Sequence, residues 1–224
     1  MKSENRVVDY YDRIAADYDH DRFGNSYGQF IDTQERRVLD GLKIEVDGCL
    51  DLPCGTGRLT NYAEMGGDAS EGMLKVARAH YPEKKFLLMD AMQTGLVDAS
   101  VETVLSFHFL MHLDEETIMK VMKEVHRILK PGGRWICDIP SQCRRKLTAR
   151  QSELWHGNTS MSVQNVHDRT VGLFEVKSVH GVMLMPVHRF PKSLRRPLCG
   201  LDYALANMSA LREWSSYLIF ELKK

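Results

Sequence analysis

One short stretch of the chain combines residue types that could hold a ligand. Residues 49–60 read CLDLPCGTGRLT, so an apolar run ends in Asp51 and is followed by Gly55 and Gly57. Glycine has no Cβ, so the backbone can turn tightly at these two positions and a ligand can lie against it. In open parallel sheets, ligands bind beyond the carboxyl ends of the strands, where such a turn would lie. The stretch therefore predicts a binding site, and the carboxylate of Asp51 favours a ligand with a positively charged group.

The same stretch argues against a dinucleotide-binding turn. The dinucleotide fingerprint requires a third glycine three positions after the second, and this chain has Thr60 there. A carboxylate at position 51 would also repel a pyrophosphate. An NAD(P)-dependent oxidoreductase is therefore kept only as an alternative.

The elements around this turn alternate between strand-like and helix-like patterns. Residues 8–42 have apolar residues at helical spacing and predict two or three helices, broken near residues 24–28. Strands are then predicted at CLDL, KKFLLMDA, VETVLSFHF and RWICDIP. Helices are predicted at GRLTNYAEM, at SEGMLKVARAHY with Ser70 as N-cap, and at DEETIMKVMKEVHRILK, which PGG ends. The alternation predicts an α/β fold in which helices cover both faces of an open, mostly parallel sheet.

The C-terminal part is predicted to extend this sheet. The runs LFEVKSVHGVMLMPV and SSYLIFELKK are strand-like and predict an antiparallel pair at the edge of the sheet. The segment between them is predicted to be mostly helical, with Pro191 and Pro197 as its boundaries.

Composition excludes several classes of partner. Thirty basic and thirty acidic residues cancel, so we expect no nucleic-acid partner. No window approaches the roughly 18 apolar residues of a membrane span, and the charged N-terminus does not read as a signal peptide. Five cysteines without metal-like spacing indicate reduced thiols in a cytoplasmic protein. We expect this protein to be a monomer or a homodimer.

Several stretches, in order, resemble the motifs of one enzyme family. Residues 51–58, DLPCGTGR, are similar to the first motif of the class I S-adenosylmethionine-dependent methyltransferases, commonly D-x-G-C-G-T-G. Later family motifs are resembled by GDASEGMLKVAR, FLLMDAMQTGL, VETVLSFHFLMHLDE and EVHRILKPGGRWICDIPS, and the N-terminal lid by YYDRIAADYD. The resemblance covers residues 9–141 and implies one domain with a doubly wound, seven-stranded Rossmann-like sheet. Its parts would be a helical lid (1–46), a cofactor-binding core (47–141) and a substrate-side part with the C-terminal strands (142–224).

The resemblance also implies a cofactor and the residues that hold it. The cofactor would be S-adenosyl-L-methionine, the product S-adenosyl-L-homocysteine, and no metal is implied. Asp51 would lie near the amino group, Asp68 would accept both ribose hydroxyls, and Asp90 would accept from the adenine amine. Tyr11 would belong to the lid. The complete implied cofactor-binding set is Asp51, Pro53, Cys54, Gly55, Gly57, Asp68, Ala69, Ser70, Met73, Asp90, Ala91, Met92, Ser106, Phe107, Tyr18 and Arg22.

One interval departs from the family pattern. The acid that binds the ribose usually follows the glycine turn by ~20 residues, whereas Asp68 comes 11 positions after Gly57 (68 − 57 = 11). Either the first helix has only one or two turns and the second strand is vestigial, or residues usual in the family are missing. Glu64 is the alternative acid.

Two histidines follow the fourth predicted strand and are candidate catalytic residues. His108 and His112 would lie on either side of the methyl group and could accept a proton from an oxygen or nitrogen nucleophile. The acceptor is expected to be a small molecule, and its pocket could use Trp155, His156, Met183, Met185, His188, Phe190, Arg195 and Arg196. A second alternative is a non-catalytic partner subunit with the same fold.

Overall fold

The computed structural model describes the backbone of residues 2–148 and 159–224, with side chains from residue 7 to 147 and from 159 onward. The helices are α1 (Lys2–Ile14), α2 (Tyr18–Phe23), α3 (Ser26–Leu42), α4 (Glu71–His80), α5 (Glu115–Ile128), α6 (Gln142–Thr148), α7 (Val163–Thr170) and α8 (Lys192–Ala206). The strands are β1 (Cys49–Asp51), β2 (Met65–Asp68), β3 (Lys85–Leu88), β4 (Val101–Ser106), β5 (Leu129–Pro140), β6 (Glu175–Val182) and β7 (Tyr217–Lys223). No helix in these two ranges is both long and apolar enough to cross a membrane.

All seven strands form one sheet in the order β3-β2-β1-β4-β5-β7-β6. Strands β1 to β5 are parallel, and β7 runs antiparallel to both β5 and β6. The predicted fold class, including the antiparallel pair at the C-terminal edge, is confirmed. The strand order reverses between β1 and β4, so their carboxyl ends flank the position where ligands of such sheets bind.

Alternating side chains of the strands supply two separate cores. On β5, Trp135 and Cys137 face the core packed by α5 and α7, whereas Ile136 faces the core packed by α3. On β7, Phe220 faces the core packed by α5 and α7, and Ile219 faces the core packed by α3. This two-residue period is what a sheet covered on both faces requires.

The predicted helix at GRLTNYAEM is wrong. Only a single 3₁₀ turn, Thr60–Tyr62, lies there, and β2 follows at Met65–Asp68. Residues 52–64 connect β1 to β2, which is about the dozen residues that a parallel crossover needs with its helix included. Turns use the first part of this interval, where the Gly57 amide donates to the Cys54 carbonyl and the Thr60 amide to the Gly57 carbonyl, so only a single 3₁₀ turn fits before β2, which keeps its place beside β1 with four residues.

Three other predicted boundaries differ. The PGG sequence does not separate α5 from its strand, because α5 ends at Ile128 and β5 begins at Leu129. Pairing with β4 shifts register at this point, so Pro131 and the two glycines form an irregularity within β5. The strand predicted at VETVLSFHF ends at Ser106. Pro197 lies inside α8 rather than at a boundary, on an exposed position where water can satisfy the carbonyl that its ring leaves unpaired.

Candidate functional site

A cavity of about 790 Å³ lies at the carboxyl ends of β1, β2 and β4. Side chains from the N-terminal helices close one side of it, including Val7, Val8 and Phe23. The predicted site residues that line it are Asp51, Pro53, Cys54, Gly55, Asp68, Ala69, Ser70, Met73, Asp90, Ala91, Met92, Phe107, His108, His112, Tyr11 and Tyr18. The structure thus brings together most of the residues that the sequence motifs single out.

The glycine turn after β1 adopts backbone angles that favour glycine. Gly55 has φ +54° and Gly57 has φ +88°. A Cβ built at Gly55 would meet no atom within 4 Å, so the space beside it is open. The Gly55 amide donates to Asp68 Oδ2 at 2.8 Å, which ties this turn to the end of β2. The turn therefore exposes backbone to the cavity in a fixed position.

Asp51 is a buried carboxylate that faces the cavity without a full set of partners. Only 2% of the residue is exposed, and its Oδ2 accepts no hydrogen bond from the described part of the chain. Burial raises the pKa of Asp51 to about 7, although the charge of Arg58 opposes this shift. A positively charged group beside Oδ2 would stabilise the ionised form.

The other two predicted acids have different surroundings. Asp68 is buried at the end of β2, and its oxygens accept from the amides of Gly55 and Ser70. Burial raises the pKa of Asp68 in spite of these bonds. Asp90 is exposed, and its Oδ1 accepts from the Met92 amide at 2.8 Å. Since each carboxylate oxygen has two lone pairs, both acids retain capacity for a ligand.

The N-terminal helices are tied to the rim of the cavity. Asp12 Oδ1 on α1 accepts from the Gly72 amide at 2.8 Å and from the hydroxyl of Ser70, which is itself the N-cap of α4. The Thr56 hydroxyl donates to Asp19 on α2 at 2.6 Å. These bonds join α1 and α2 to the turn after β1 and to the start of α4.

His108 lies at the cavity between two buried carboxylates. Its Nε2 is 2.9 Å from Glu35 Oε1, its Nδ1 is 3.7 Å from Asp138 Oδ2, and its amide donates to Asp138 Oδ1 at 2.6 Å. The two ring nitrogens therefore face different acids. Glu35, His108 and Asp138 each offer one ligand atom, and these atoms lie within 4.8 Å of one another, so the three residues could also hold a metal ion. His108 also has φ +54°, a strained angle for a residue with a Cβ.

The pKa values of the two acids shift in opposite directions. Burial disfavours the charge of Glu35, but His108 and Arg58 outweigh it and lower the pKa of Glu35 to about 2. Arg58 Nη2 lies 2.8 Å from Glu35 Oε2, and its Nη1 pairs with Asp32 at 2.6 Å. Burial raises the pKa of Asp138 to about 6, against the charge of His108. Glu35 is thus the acid that stays ionised beside the imidazole.

His112 has a different neighbour. Its Nε2 lies 3.3 Å from the Tyr11 hydroxyl of α1. The start of α5 is capped by Asp114, which accepts from the Thr117 amide. His112 therefore connects the loop after β4 to the N-terminal helices.

Three predicted cofactor residues lie away from the main cavity. Ser106 is buried behind it, donates to the Leu52 carbonyl and accepts from Trp135 Nε1. Gly57 lines a separate cavity of about 210 Å³ beside His80 and Tyr81. Arg22 is not among the residues that line the cavity, and Tyr18 and Tyr217 raise its pKa against the effect of its own burial.

The predicted acceptor pocket is dispersed. Met183 is fully buried, His188 contacts the ring of Tyr27, and Phe190 is 40% exposed. None of these three lines the main cavity. Trp155 and His156 lie outside the described residues.

Glu35, Asp138 and Arg58 have no role in the sequence prediction. Glu35 is a charged residue on the buried face of α3, between Ile31 and Val38. Asp138 interrupts the apolar run WICDIP. A charge placed on an otherwise apolar face is the signal by which the sequence could have indicated these buried acids.

Comparison with known sequences identifies related proteins. Residues 50–137 match the family profile described as a methyltransferase domain. The chain is 31% identical to a demethylmenaquinone methyltransferase from Lactococcus lactis over 175 residues, which cover 70% of this chain and 67% of that protein. It is also 31% identical to the enzyme of that name from Symbiobacterium thermophilum, over 61% of this chain and 59% of the relative. The match to this second relative therefore spans less than two thirds of that protein's length.

Comparison with solved structures extends the likeness to nearly the whole chain. A protein from Thermotoga maritima, described as an S-adenosylmethionine-dependent methyltransferase and a possible histamine N-methyltransferase, superposes with a TM-score of 0.70. The superposition covers 98% of this chain and 96% of that protein, at 19% identity. At this identity the likeness concerns the fold.

Proposed function

Because this chain belongs to the S-adenosylmethionine-dependent methyltransferases, we propose that it transfers a methyl group from S-adenosylmethionine to a small-molecule acceptor, at oxygen or nitrogen. One observation carries the proposal. A single cavity is lined both by Asp51, whose buried Oδ2 accepts no hydrogen bond from the described residues, and by His108, whose imidazole lies 2.9 Å from Glu35. The first suits a cationic cofactor, and the second suits removal of a proton from the acceptor.

The described residues fit this cofactor. The cavity volume lies within the range of about 300–1,000 Å³ that is usual for small-molecule sites. Asp51 would pair with the amino group, Asp68 would accept from the ribose hydroxyls, and the amide edge at Ala91 and Met92 would face the adenine. Met73 is fully buried beneath the cavity and would support the ring. The unpaired Oδ2 of Asp51 and the open space at Gly55 support this placement.

When bound, the cofactor supplies a methyl carbon that its sulfonium makes electrophilic. The protein then has to hold the acceptor atom in line with that carbon and exclude water. Such positioning can lower the activation barrier by several kcal/mol, up to about 7–11. The apolar side chains of Val8, Phe23 and Phe107 surround the cavity and would exclude water there.

His108 is the proposed proton acceptor. Glu35 lies 2.9 Å from Nε2 and is the acid that stays ionised beside the imidazole. Both ring nitrogens are buried and have no hydrogen-bond partner among the described residues, so proton transfer requires the imidazole to turn toward the cavity when the acceptor binds. Asp138 Oδ2 lies 3.7 Å from Nδ1, beyond hydrogen-bonding distance. The other oxygen, Oδ1, accepts a hydrogen bond from the His108 amide, and this bond fixes the strained backbone of His108. For His112, the contact with Tyr11 supports a role in seating the N-terminal helices.

A carbon acceptor is the second candidate. Two relatives are named demethylmenaquinone methyltransferase, and another is named a ubiquinone/menaquinone biosynthesis C-methyltransferase. A hydroxyl group on an aromatic ring, once deprotonated by His108, activates the neighbouring ring carbon as well as its own oxygen. The same residues would then serve either outcome.

A transfer assay tests the proposal. The protein is incubated with radiolabelled S-adenosylmethionine and a panel of phenols, hydroquinones and amines, and products are identified by NMR. We expect an O-methyl or N-methyl product and a kcat that falls by about 10²–10⁴-fold in His108→Ala. The matched control is His167→Ala, an exposed histidine on α7, which should leave kcat unchanged.

Three results would redirect the account. A C-methyl product would support the quinone-type candidate. Full activity in His108→Ala would exclude its role as base. Tight binding of S-adenosylhomocysteine without transfer to any acceptor would favour a non-catalytic partner subunit.

A further inference from the structure

Aromatic rings gather at one end of the cavity. In the part of the lining that the structure describes, every aromatic ring belongs to α1, to α2 or to the segment between β4 and α5, and none follows β1, β2 or β3. In the strand order β3-β2-β1-β4, β4 lies on the far side of β1 from β2 and β3. A cofactor placed along Asp51, Asp68 and Asp90 would therefore leave the aromatic end of the cavity to the acceptor.

Five of these rings contact one another in a closed circuit, and we call them the aromatic collar: Tyr11, Tyr18, Phe23, His108 and His112. The ring centroids are 6.0 Å apart for Tyr11 and Tyr18, 6.2 Å for Tyr18 and Phe23, and 6.0 Å for Phe23 and His108. His112 contacts Tyr11 at 6.2 Å. Since His108 and His112 lie on the same segment between β4 and α5, the chain itself closes the circuit. The collar thus joins both N-terminal helices to the loop after β4.

Phe23 is fixed in this collar by Arg58. The guanidinium carbon of Arg58 lies 4.4 Å from the centroid of the Phe23 ring. The same guanidinium pairs with Asp32 at 2.6 Å and with Glu35 at 2.8 Å, so it cannot swing away without breaking both ion pairs. The Phe23 ring therefore has a defined position before a ligand binds, and a ligand that packs on it does not lose affinity to ordering the ring.

We infer that the aromatic collar binds an aromatic ring of the acceptor, which packs against Phe23. The inference rests on the proposed function and narrows the acceptor to planar aromatic compounds whose reacting group lies beside His108. Contacts between aromatic rings favour an aromatic ligand over a saturated ligand of equal size by roughly 2–10-fold per contact. Aromatic side chains can also attract a cationic amine, but the Arg58 charge already lies over the Phe23 ring and would repel such a ligand.

A matched pair of alcohols tests the inference on the full chain. Calorimetric titration measures the binding of 2-naphthol and of its saturated analogue decahydro-2-naphthol, with and without saturating S-adenosylhomocysteine. We expect 2-naphthol to bind about tenfold or more tightly than the analogue. Equal affinity for the two alcohols, no binding of 2-naphthol, or tighter binding of cyclohexylamine than of 2-naphthol would overturn the inference.

Variants at Phe23 locate the contact. Phe23→Leu keeps an apolar side chain but removes the ring, and it should reduce the preference for 2-naphthol about threefold or more. Phe23→Tyr keeps the ring and should retain the preference. The matched control is Trp214→Leu, at an exposed aromatic residue outside the cavity lining, which should retain it as well. An unchanged preference in Phe23→Leu would contradict the role of Phe23.

Two features keep this test separate from the proposed function. The preference is a ratio of two affinities within one variant, so a general loss of folded protein cancels from it. The affinity for S-adenosylhomocysteine is measured in every variant, and an unchanged value shows that the cofactor end is intact. Failure of the wild type to bind S-adenosylhomocysteine would contradict the proposed function, whereas failure of the preference for 2-naphthol alone would contradict only the collar.

Discussion

At the level of single residues, the buried charge on one side of the cavity has partners of opposite charge, and the buried acid on the other side has an unpaired oxygen. Glu35 has Arg58 and His108 as partners, and its pKa is lowered to about 2. Asp51 Oδ2 accepts no hydrogen bond from the described residues, and burial raises the pKa of Asp51 to about 7 although Arg58 and Thr60 oppose the shift. The first arrangement holds a side chain in position. The second costs stability until a cation arrives, which is the property expected of a ligand-binding acid.

Replacement of Asp51 measures how much its buried charge destabilises the fold. In the unfolded chain the pKa of Asp51 is about 3.9. Between about pH 4 and 7 the native state therefore binds one proton more than the unfolded state, and ionisation of Asp51 destabilises the fold as the pH rises through 7. Asp51→Asn should therefore increase the free energy of unfolding by roughly 2–4 kcal/mol at about pH 8. Urea denaturation measures this difference. A destabilised variant at that pH would contradict the assignment of a strained buried charge.

The same acid should make cofactor binding depend on pH. As the pH falls below about 7, protonation of Asp51 removes the partner of the amino group, so the affinity for S-adenosylhomocysteine should fall by up to about tenfold per pH unit. Titrations at several pH values measure this slope, and Asp51→Asn should abolish it. A slope that persists in the variant would assign the titration to another group.

Arg58 should contribute more to stability than an exposed arginine does. Its removal leaves the buried Glu35 carboxylate without its guanidinium partner, and breaking a buried pair costs about 3–5 kcal/mol. Arg58→Ala should therefore lower the free energy of unfolding by about that amount. Arg78→Ala is the control, since the Arg78–Glu71 pair is 41% and 60% exposed and worth at most about 1 kcal/mol. Equal losses in the two variants would contradict the account.

Glu35 is proposed to act through His108 rather than on the substrate. Glu35→Gln removes the negative charge 2.9 Å from Nε2 and should lower kcat about tenfold or more while leaving the KM for the cofactor unchanged. The amide keeps the size of the side chain, so rising KM together with falling kcat would indicate a merely structural effect. Steady-state kinetics with both substrates distinguish these outcomes.

At the level of elements, the seating of α1 on α4 depends on one close approach. A Cβ at Gly72 would lie 2.9 Å from the Asp12 Cα and carbonyl oxygen, which are backbone atoms that cannot give way cheaply. Gly72→Ala should therefore displace α1, reduce hydrogen-exchange protection in the N-terminal helices and speed the release of S-adenosylhomocysteine. Gly41→Ala on α3 is the control, because its Cβ would meet no atom within 4 Å. Unchanged protection in Gly72→Ala would show that α1 is seated otherwise.

Elements with strong periodicity or a cap were predictable from the sequence. Ser70 does cap α4, where its hydroxyl accepts from the Met73 amide, and α5 buries the apolar face that its pattern predicts. The missing first helix was not predictable from pattern, since GRLTNYAEM reads as helical. Chain length decided that segment, because residues 52–64 must also carry the chain from β1 to β2.

The candidate site was predictable where sequence motifs carry it and not where tertiary contacts do. Asp51, Gly55, Asp68 and Asp90 line one cavity, as the motifs indicate. Glu35 comes from α3, far from any motif, and reaches His108 only because α3 packs across the sheet. Contacts between distant elements of this kind have no local signature.

At the level of the whole molecule, the sheet keeps its strand order in spite of the shortened crossover. β2 contributes four residues, pairs with both β1 and β3, and still brings Asp68 to the turn after β1 at 2.8 Å from the Gly55 amide. The distance along the chain from Gly57 to Asp68 is short, but the position of Asp68 in space does not require the missing helix. We therefore expect the cofactor site to be functional.

Calorimetric titration of the protein with S-adenosylhomocysteine tests this central claim most directly. We expect one site per chain, with binding that weakens by about tenfold or more in Asp51→Ala. NADH should not bind. Failure to bind S-adenosylhomocysteine at high micromolar concentration, or wild-type affinity in Asp51→Ala, would contradict the account.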